Sequence, residues 1–576
     1  MTDRPNIVYV LTDDQGYGDT GFSGNPWIKT PNLDHLWSES VAFTDFHTGP
    51  TCAPTRASLM TGRYHNSTGV WHTIGGRSLL RKDEVTIASA LRRQGYKTGI
   101  FGKWHLGDCY PYRPQDRGFD EAIVHGGGGI GQTPDYWGND YFDDTYFDMG
   151  KPRPFKGYCT DVFFNLGMEF MERNRDRPFF CYIPTNAPHS PLQIEEEYVR
   201  PYRAQMTEER ARFYGMIARI DENMGKLRAY LKESGLADNT ILIFMTDNGS
   251  ADGCKTDASG FVTEGYNMGM RGRKGSEYEG GHHTPFLLHW PQGGFNTHVV
   301  VNELTASIDL MPTLLDLCGL NDDDSVRYAA KCDGKSLLPL MKGENAGWPD
   351  RMVVTDSQRL VNPVKWKSSC TMLGKWRLIN GRELYNLADD PEQRWDISGD
   401  HRDLAAQMRK GYEDWWEKVS VQFDEDIPIS IGADGIKVTV LTSHDIRGSD
   451  TDCAWNQGQV RQGMVCRSYW EIFAEKDGEY HFETRRWPAE ENRPIREGIP
   501  GEIVDWWTGG KTLDIQKAEL LVDGEIWQTC KVNDADLYSE FTQTLKKGNH
   551  HISAYFTDAN GIVRNAYYVY VKYKSS

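Results

Sequence analysis

No run of apolar residues in this chain approaches the ~20 that a membrane-spanning helix needs, so no bilayer-crossing segment is expected. Met1-Thr2-Asp3-Arg4-Pro5-Asn6 lacks the apolar centre of a signal peptide and leads straight into an apolar strand at Ile7. As the sequence stands this reads as cytoplasmic; a trimmed N-terminus would suit a periplasmic or secreted protein equally. Paired-cysteine spacing is missing too. The 11 cysteines are odd in number, scattered, and contain no CxxC, which favours free thiols over a disulfide framework; a Cys453–Cys466 bridge is the one alternative. Positive charge is scarce. A net charge of −18 argues against nucleic acid and anionic membranes as partners. An anionic ligand would need a local basic pocket inside an acidic body. Solenoid repeats and low-complexity tracts are absent. At 576 residues, two or three domains are expected.

What is present begins with two matching strands. Ile7-Val8-Tyr9-Val10-Leu11 is continuously apolar and ends in Thr12-Asp13-Asp14, and Ile241-Leu242-Ile243-Phe244-Met245 repeats the design and ends in Thr246-Asp247-Asn248. Such runs suit strands buried on both faces of a largely parallel sheet, and ligands bind at the C-terminal edge of such sheets. One acidic pair after a strand reads as a turn or a helix cap; two pairs suit a hard divalent cation. Three carboxylates and one amide oxygen match Ca²⁺ or Mg²⁺ and not zinc.

The central stretch is Pro50-Thr51-Cys52-Ala53-Pro54-Thr55-Arg56-Ala57-Ser58-Leu59-Met60-Thr61-Gly62. Pro54 fits the first turn of a helix. Cys52 then stands at its N-terminus, where free N–H groups and the dipole favour an oxyanion, with Arg56 one turn on. A lone cysteine is more often a small buried hydrophobe. Here Cys-x-Pro-Thr-Arg closed by Thr-Gly resembles the signature of type I sulfatases, although Thr55 stands where most members have Ser or Ala. Gly95-Tyr96-Lys97-Thr98-Gly99-Ile100-Phe101-Gly102-Lys103-Trp104-His105-Leu106-Gly107 matches that family's second signature, and Lys274-Gly-x-x-Tyr-Glu-Gly-Gly281 resembles its segment with a second sulfate-binding lysine.

The resemblance implies an alkaline-phosphatase-like α/β fold: a large mixed, mostly parallel sheet sandwiched by helices. It implies oxidation of Cys52 to formylglycine (3-oxoalanine) by a formylglycine-generating or anaerobic sulfatase-maturing enzyme. Asp13, Asp14, Asp247 and Asn248 become metal ligands, joined by an oxygen of the residue formed from Cys52, with Ca²⁺ favoured and Mg²⁺ open. One hydroxyl of the hydrated aldehyde attacks sulfur, and the other, deprotonated by His105, expels sulfate. His189, in the stiff loop Pro184-Thr185-Asn186-Ala187-Pro188-His189-Ser190-Pro191 after the strand Phe179–Ile183, protonates the leaving oxygen with Lys274 beside it. Lys103, His189 and Lys274 contact the sulfate ester. On an extended backbone Lys103 and His105 would share one face. His282-His283 replaces an arginine found in many relatives, so His283 is either a substrate contact or structural. Arg271 and Arg273 read as solvated.

Three segments are expected: a catalytic α/β domain over 1–348, a small antiparallel α+β subdomain over 349–422, and a C-terminal all-β sandwich over 423–576. The last is marked by short β-rich runs, Asp-Gly and Asn-Gly turns and many tryptophans, including Trp455, Trp470, Trp487, Trp506, Trp507 and Trp527. These suit core packing and docking better than a sugar-stacking face. The segment Val124–Ile130 and the aromatics Tyr136, Trp137, Tyr141, Phe142, Tyr146 and Phe147 read as part of a substrate wall. The expected activity is hydrolysis of a sulfate monoester of a carbohydrate or aryl group. The alternatives are a phosphonate or phosphate ester hydrolase on the same scaffold and a non-catalytic sulfoglycan-binding protein.

Overall fold

A computed structural model describes residues 4–320, 323–344, 348, 350–448 and 453–574. Among them, ten strands form one mixed sheet. Its centre is five parallel strands; one end is antiparallel, and at the other the antiparallel strand Phe286–His289 is followed by the parallel pair Val41–Phe43 and Val299–Val301. In spatial order the parallel strands are Thr240–Thr246, β1 (Asn6–Thr12), Phe179–Pro184, β2 (Lys97–Lys103) and β3 (Glu121–His125). β1 is buried at every position, which explains why its sequence is apolar without alternation. The odd residues Ile7, Tyr9 and Leu11 join a core with Ala57, Leu59 and Met60 on one face. Val8 and Val10 join a second core with Phe213, Met216 and Ile220 on the other.

That second face is covered by the helix Glu208–Glu233, whose Thr207 side chain accepts from Arg210 N. A capping threonine with glutamates in the first turn fixes the helix start. The sequence places another helix over Glu84 to Gln94; it begins later, at Ile87, because the Thr86 side chain caps it. A four-stranded antiparallel sheet follows, containing Ser369–Leu373, Trp376–Ile379 and Glu383–Asn386, with the helix Arg402–Val419 packed against it. The remaining chain forms two mainly antiparallel sheets that share one core, in which Trp470 and Ile472 of one meet Phe482 and Val569 of the other. Trp470 and Trp487 are fully buried there, whereas Trp527 is exposed. All 11 cysteines are free, so Cys453 and Cys466 do not pair. None of the described helices is long and apolar enough to cross a membrane.

The aromatic wall is corrected by this packing. Tyr141 and Tyr146 are buried, and Trp137 packs edge-on against Trp487 of the C-terminal sheets. Trp507 donates from Nε1 to Asn139 O, and Thr133 N donates to Trp455 O. Trp137 seals the contact between the two units, whereas Tyr141, Phe142 and Tyr146 pack into the main unit's second core. The glycine segment and Tyr141, whose Oη donates to His189 O at 2.8 Å, reach the sheet edge described next.

Candidate functional site

The site lies where the parallel strands end. β1 and Thr240–Thr246 run in register, Thr12 beside Thr246, so their acidic pairs emerge side by side. Asp14 then turns into a left-handed conformation at φ 69°, an uncommon state for a non-glycine residue and one found at functional sites. This lets Asp14 N donate to Asp247 Oδ1 at 3.1 Å, while Asn248 Nδ2 donates to Asp14 Oδ1 at 3.0 Å. The helix α1 (Cys52–Thr61) aims its first residue at the same point: Cys52 Sγ is 3.8 Å from Asp14 Oδ1. Ligand atoms of Asp13, Asp14, Cys52 and Asp247 all lie within 4.8 Å of one another.

Cations enclose this group. Arg56, fully buried on α1, donates to Asp247 Oδ2 from Nε at 3.2 Å and from Nη2 at 2.8 Å, and to Lys103 O from Nη1. Lys103 Nζ meets Asp13 Oδ2 at 2.5 Å. Lys274 Nζ meets both Asp14 oxygens, at 2.5 and 2.6 Å. Its loop is pinned under α1, Gly275 N donating to Pro50 O. His189 Nε2 stands 3.7 Å from Asp14 Oδ2, and its Nδ1–H donates to Ser190 O.

His105 arrives differently from expectation. β2 ends at Lys103, and His105 has φ 60°, so the extended alternation with Lys103 does not hold. The ring is clamped instead. Nε2 donates to Thr73 O at 2.9 Å, and Gly128 passes so close that a Cβ there would come within 2.3 Å of the ring. Only glycine fits at that position. Nδ1 is therefore the bare nitrogen, buried and without a partner.

The electrostatics are those of crowded carboxylates. Burial and the neighbouring Asp13 push Asp247 up to about 7 despite Arg56. Burial also opposes the Asp14 anion, but Lys274, His189 and Lys103 outweigh it and hold that carboxyl below the usual range. Burial raises the Cys52 thiol well above its ordinary value. Burial, with Lys274 and Lys103, takes His189 down to about 3. Asp13 Oδ1 and Asn248 Oδ1 are buried without partners, which buried oxygens rarely tolerate. Three carboxylates with two bare oxygens facing one point fit a hard divalent cation with oxygen ligands.

The remaining candidates lie elsewhere. His283 stands 3.3 Å from Glu279 Oε2 through Nδ1 and donates from Nε2 to Thr44 O. It belongs to a buried network in which Arg377 bridges Glu279 Oε1 at 2.7 Å and Asp45 Oδ1 at 2.8 Å, and His47 links Asp45 to His282. Arg271 is not solvated: it packs 3.7 Å over the Tyr278 ring and donates to Tyr385 Oη, because the small sheet covers it. Arg273 is exposed.

Two further histidines join the site. His125 pairs in register with Lys103 on the neighbouring strand; it was legible as a strand end at the same sheet edge. His444 comes from the C-terminal sheets, its ring centroid 6.2 Å from that of His105. No local signal in the sequence ties it to residues more than three hundred positions earlier.

A parallel sheet bearing a carboxylate cluster, a helix-borne thiol and three converging cations at one edge defines the alkaline-phosphatase-like architecture. The Sulfatase family model matches residues 5–320, so the chain belongs to the sulfatase family. A model described as N-sulphoglucosamine sulphohydrolase, C-terminal, matches residues 273–417. Arylsulfatase J of Mus musculus is 31% identical over 341 residues, 56% of this chain and 54% of that protein. N-acetylgalactosamine-6-sulfatase of Homo sapiens is 30% identical over 364 residues, 58% of this chain and 66% of that protein. The chain thus spans between about half and two thirds of these relatives. The crystal structure of Ps i-CgsB in complex with k-i-k-neocarrahexaose shares 28% identity at a TM-score of 0.63, covering 73% of this chain and 99% of that one.

Proposed function

We propose that this protein hydrolyses sulfate monoesters, of a sulfated carbohydrate or an aryl sulfate, and releases inorganic sulfate. The observation that carries the reading is Cys52 at the head of a buried helix, 3.8 Å from Asp14 and faced by Lys274, Lys103 and Arg56. Asp13, Asp14, Asp247 and Asn248 would hold the cation, Ca²⁺ by family habit, with an oxygen of the residue formed from Cys52. The formylglycine hydrate made from Cys52 by a maturing enzyme, beside that cation, supplies an oxygen nucleophile and a second hydroxyl able to expel sulfate.

The chain's own groups do the rest. Arg56 holds Asp247 in place through two N–H donors. Lys103 and Lys274 lie where the ester oxygens gather charge, and fixed cations in a dry pocket act most strongly there. His105, its Nε2–H committed to Thr73 O, presents Nδ1 as the base. His189 is held neutral by burial and the lysines, so it gains the proton it donates when the anionic ester lies beside it.

Two measurements test this. Protein from a host with the converting enzyme should release sulfate from an aryl sulfate faster than it cleaves an aryl phosphonate; the reverse order would make it a phosphonate hydrolase. Intact mass of the Cys52 peptide should show the aldehyde. An unchanged thiol with no turnover would favour the non-catalytic binder.

A further inference from the structure

On the small antiparallel subdomain a trough of about 600 Å³ is lined by Lys365, Lys367, Arg382 and Arg409, with Glu413 as its one carboxylate. Glu413 is already paired with Lys365. Arg409 spends Nε on Gly381 O. Among the described residues, Lys367, Arg382 and Arg409 have no carboxylate partner.

The floor of the trough is built rigidly. The Trp366 ring stacks on Tyr412 with centroids 3.7 Å apart, and its backbone N–H donates to Tyr412 Oη. Gly381 runs so close that a Cβ there would stand 2.7 Å from that indole. Trp366 itself sits at φ 67° and Ser368 at φ 43°.

The trough also connects to the site. Asn380, on its wall, donates from Nδ2 to Glu277 Oε1 at 2.9 Å, three residues beyond Lys274. Arg359, exposed and without an ion-pair partner among the described residues, places Nη1 3.9 Å from where a Cβ on Gly275 would lie. Arg359 thus stands beside the Lys274 loop, and Asn380 joins that loop to the trough wall.

We propose that this trough binds the anionic flank of the substrate: acidic sugar residues, carrying sulfate or carboxylate groups, next to the residue whose ester is cleaved. Arg359 is the stepping stone between the two. Unpaired guanidinium and ammonium groups in a row match the repeated charges of an acidic oligosaccharide, and a net-acidic surface around them confines such a chain to this path. The identity of the ligand as substrate rests on the sulfatase reading; the binding site does not.

The test reads binding without chemistry, on the full chain carrying Cys52→Ala. Dextran sulfate is titrated by calorimetry, with uncharged dextran and poly-glutamate as comparison probes. Dextran sulfate should bind, and uncharged dextran should not. The double substitution Lys367→Ser/Arg382→Ser should weaken dextran sulfate binding at least tenfold, and Arg359→Ser alone by several-fold. Lys546→Ser, far along the chain on the C-terminal sheets, should leave it unchanged. An unchanged affinity in the double variant, with an unchanged melting midpoint, overturns the proposal. Equal binding of poly-glutamate overturns the saccharide assignment, leaving a charge-only surface. Loss of dextran sulfate binding in the double variant of a protein that cleaves no sulfate ester would uphold the trough and reject only the sulfatase reading.

Discussion

Two buried clusters in this protein use nearly the same residue types and come to opposite ends. Around Arg377, two carboxylates, a guanidinium and three histidines satisfy one another: Arg377 bridges Asp45 and Glu279, His47 joins Asp45 to His282, and His283 faces Glu279. His47, Glu279 and His282 lie close enough to hold a metal ion, yet their donor atoms face protein groups; Glu279 Oε2 makes no hydrogen bond but has His283 Nδ1 3.3 Å away. At the edge of the large sheet, three carboxylates and three cations leave Asp13 Oδ1, Asn248 Oδ1 and His105 Nδ1 bare. A network that leaves a single oxygen over, Glu279 Oε2 beside His283, joins the small sheet to the main unit. A network that leaves several buried atoms over is shaped for something outside the chain.

Several experiments would break or sharpen this contrast. Arg377→Met should have the largest effect, since it strands two buried carboxylates; such losses run to about 3–5 kcal/mol. Denaturant midpoints would register it, and a midpoint unchanged within error would mean the cluster is not the joint described. Lys274→Ala should cost about 10²–10³-fold in sulfate release, the usual effect of removing one oxyanion donor, and less stability than Arg377→Met, because it leaves one buried carboxylate short of a cation and Asp14 keeps Asn248. Next comes the cation. Adding Ca²⁺ to chelator-stripped protein should stabilise it by about 2.7 kcal/mol at a hundredfold excess over its Kd. Asp247→Asn should abolish that gain, whereas Arg377→Met should keep it.

The clusters should also differ in the sign of their pH dependence. Burial opposes the Asp45 and Glu279 anions, but Arg377 outweighs it and holds both below ordinary carboxylate values. Their contribution is complete above the unfolded values, ~4, and is lost as pH falls through the folded ones. Asp247 is raised instead, to about 7, so the folded state holds its proton more tightly. Metal-free protein should therefore lose stability as pH rises from ~4 to about 7. Urea midpoints of stripped protein across pH 5–7 should fall for the parent and fall less steeply for Asp247→Asn, since Asp19, Asp108 and Asp144 are raised into the same window. A flat parent curve would erase the distinction. The smallest effect belongs to His283→Ala, which removes one charge-assisted bond, about 1.5–3 kcal/mol at most, and should leave the KM for an aryl sulfate unchanged. A raised KM would move His283 into the substrate site.

How much of this the sequence carried depends on the range over which each signal acts. Strands buried on both faces, such as Asn6–Thr12, announce themselves because every position must be apolar. The strand Glu525–Lys531 was missed because it lies on an exposed edge, almost wholly open to water, and so carries no alternation. Asp13, Asp14, Asp247 and Asn248 were legible because each pair ends a core strand, and parallel register brings such ends together. The turn that lifts His105 out of line depends on Thr73 O and Gly128, neither of which is near it in sequence. His444 and the trough cations are further still: their places follow from how whole units dock, which no local pattern encodes.

The position of Cys52 carries one more consequence. Its side chain is 2% exposed, beneath Lys274 and at the base of a sheet whose strands come from both ends of a 240-residue span. A second protein large enough to perform chemistry on that sulfur has no path to it once the sheet has closed. Under the proposed function, conversion of Cys52 by a maturing enzyme would therefore belong to the interval between synthesis and folding.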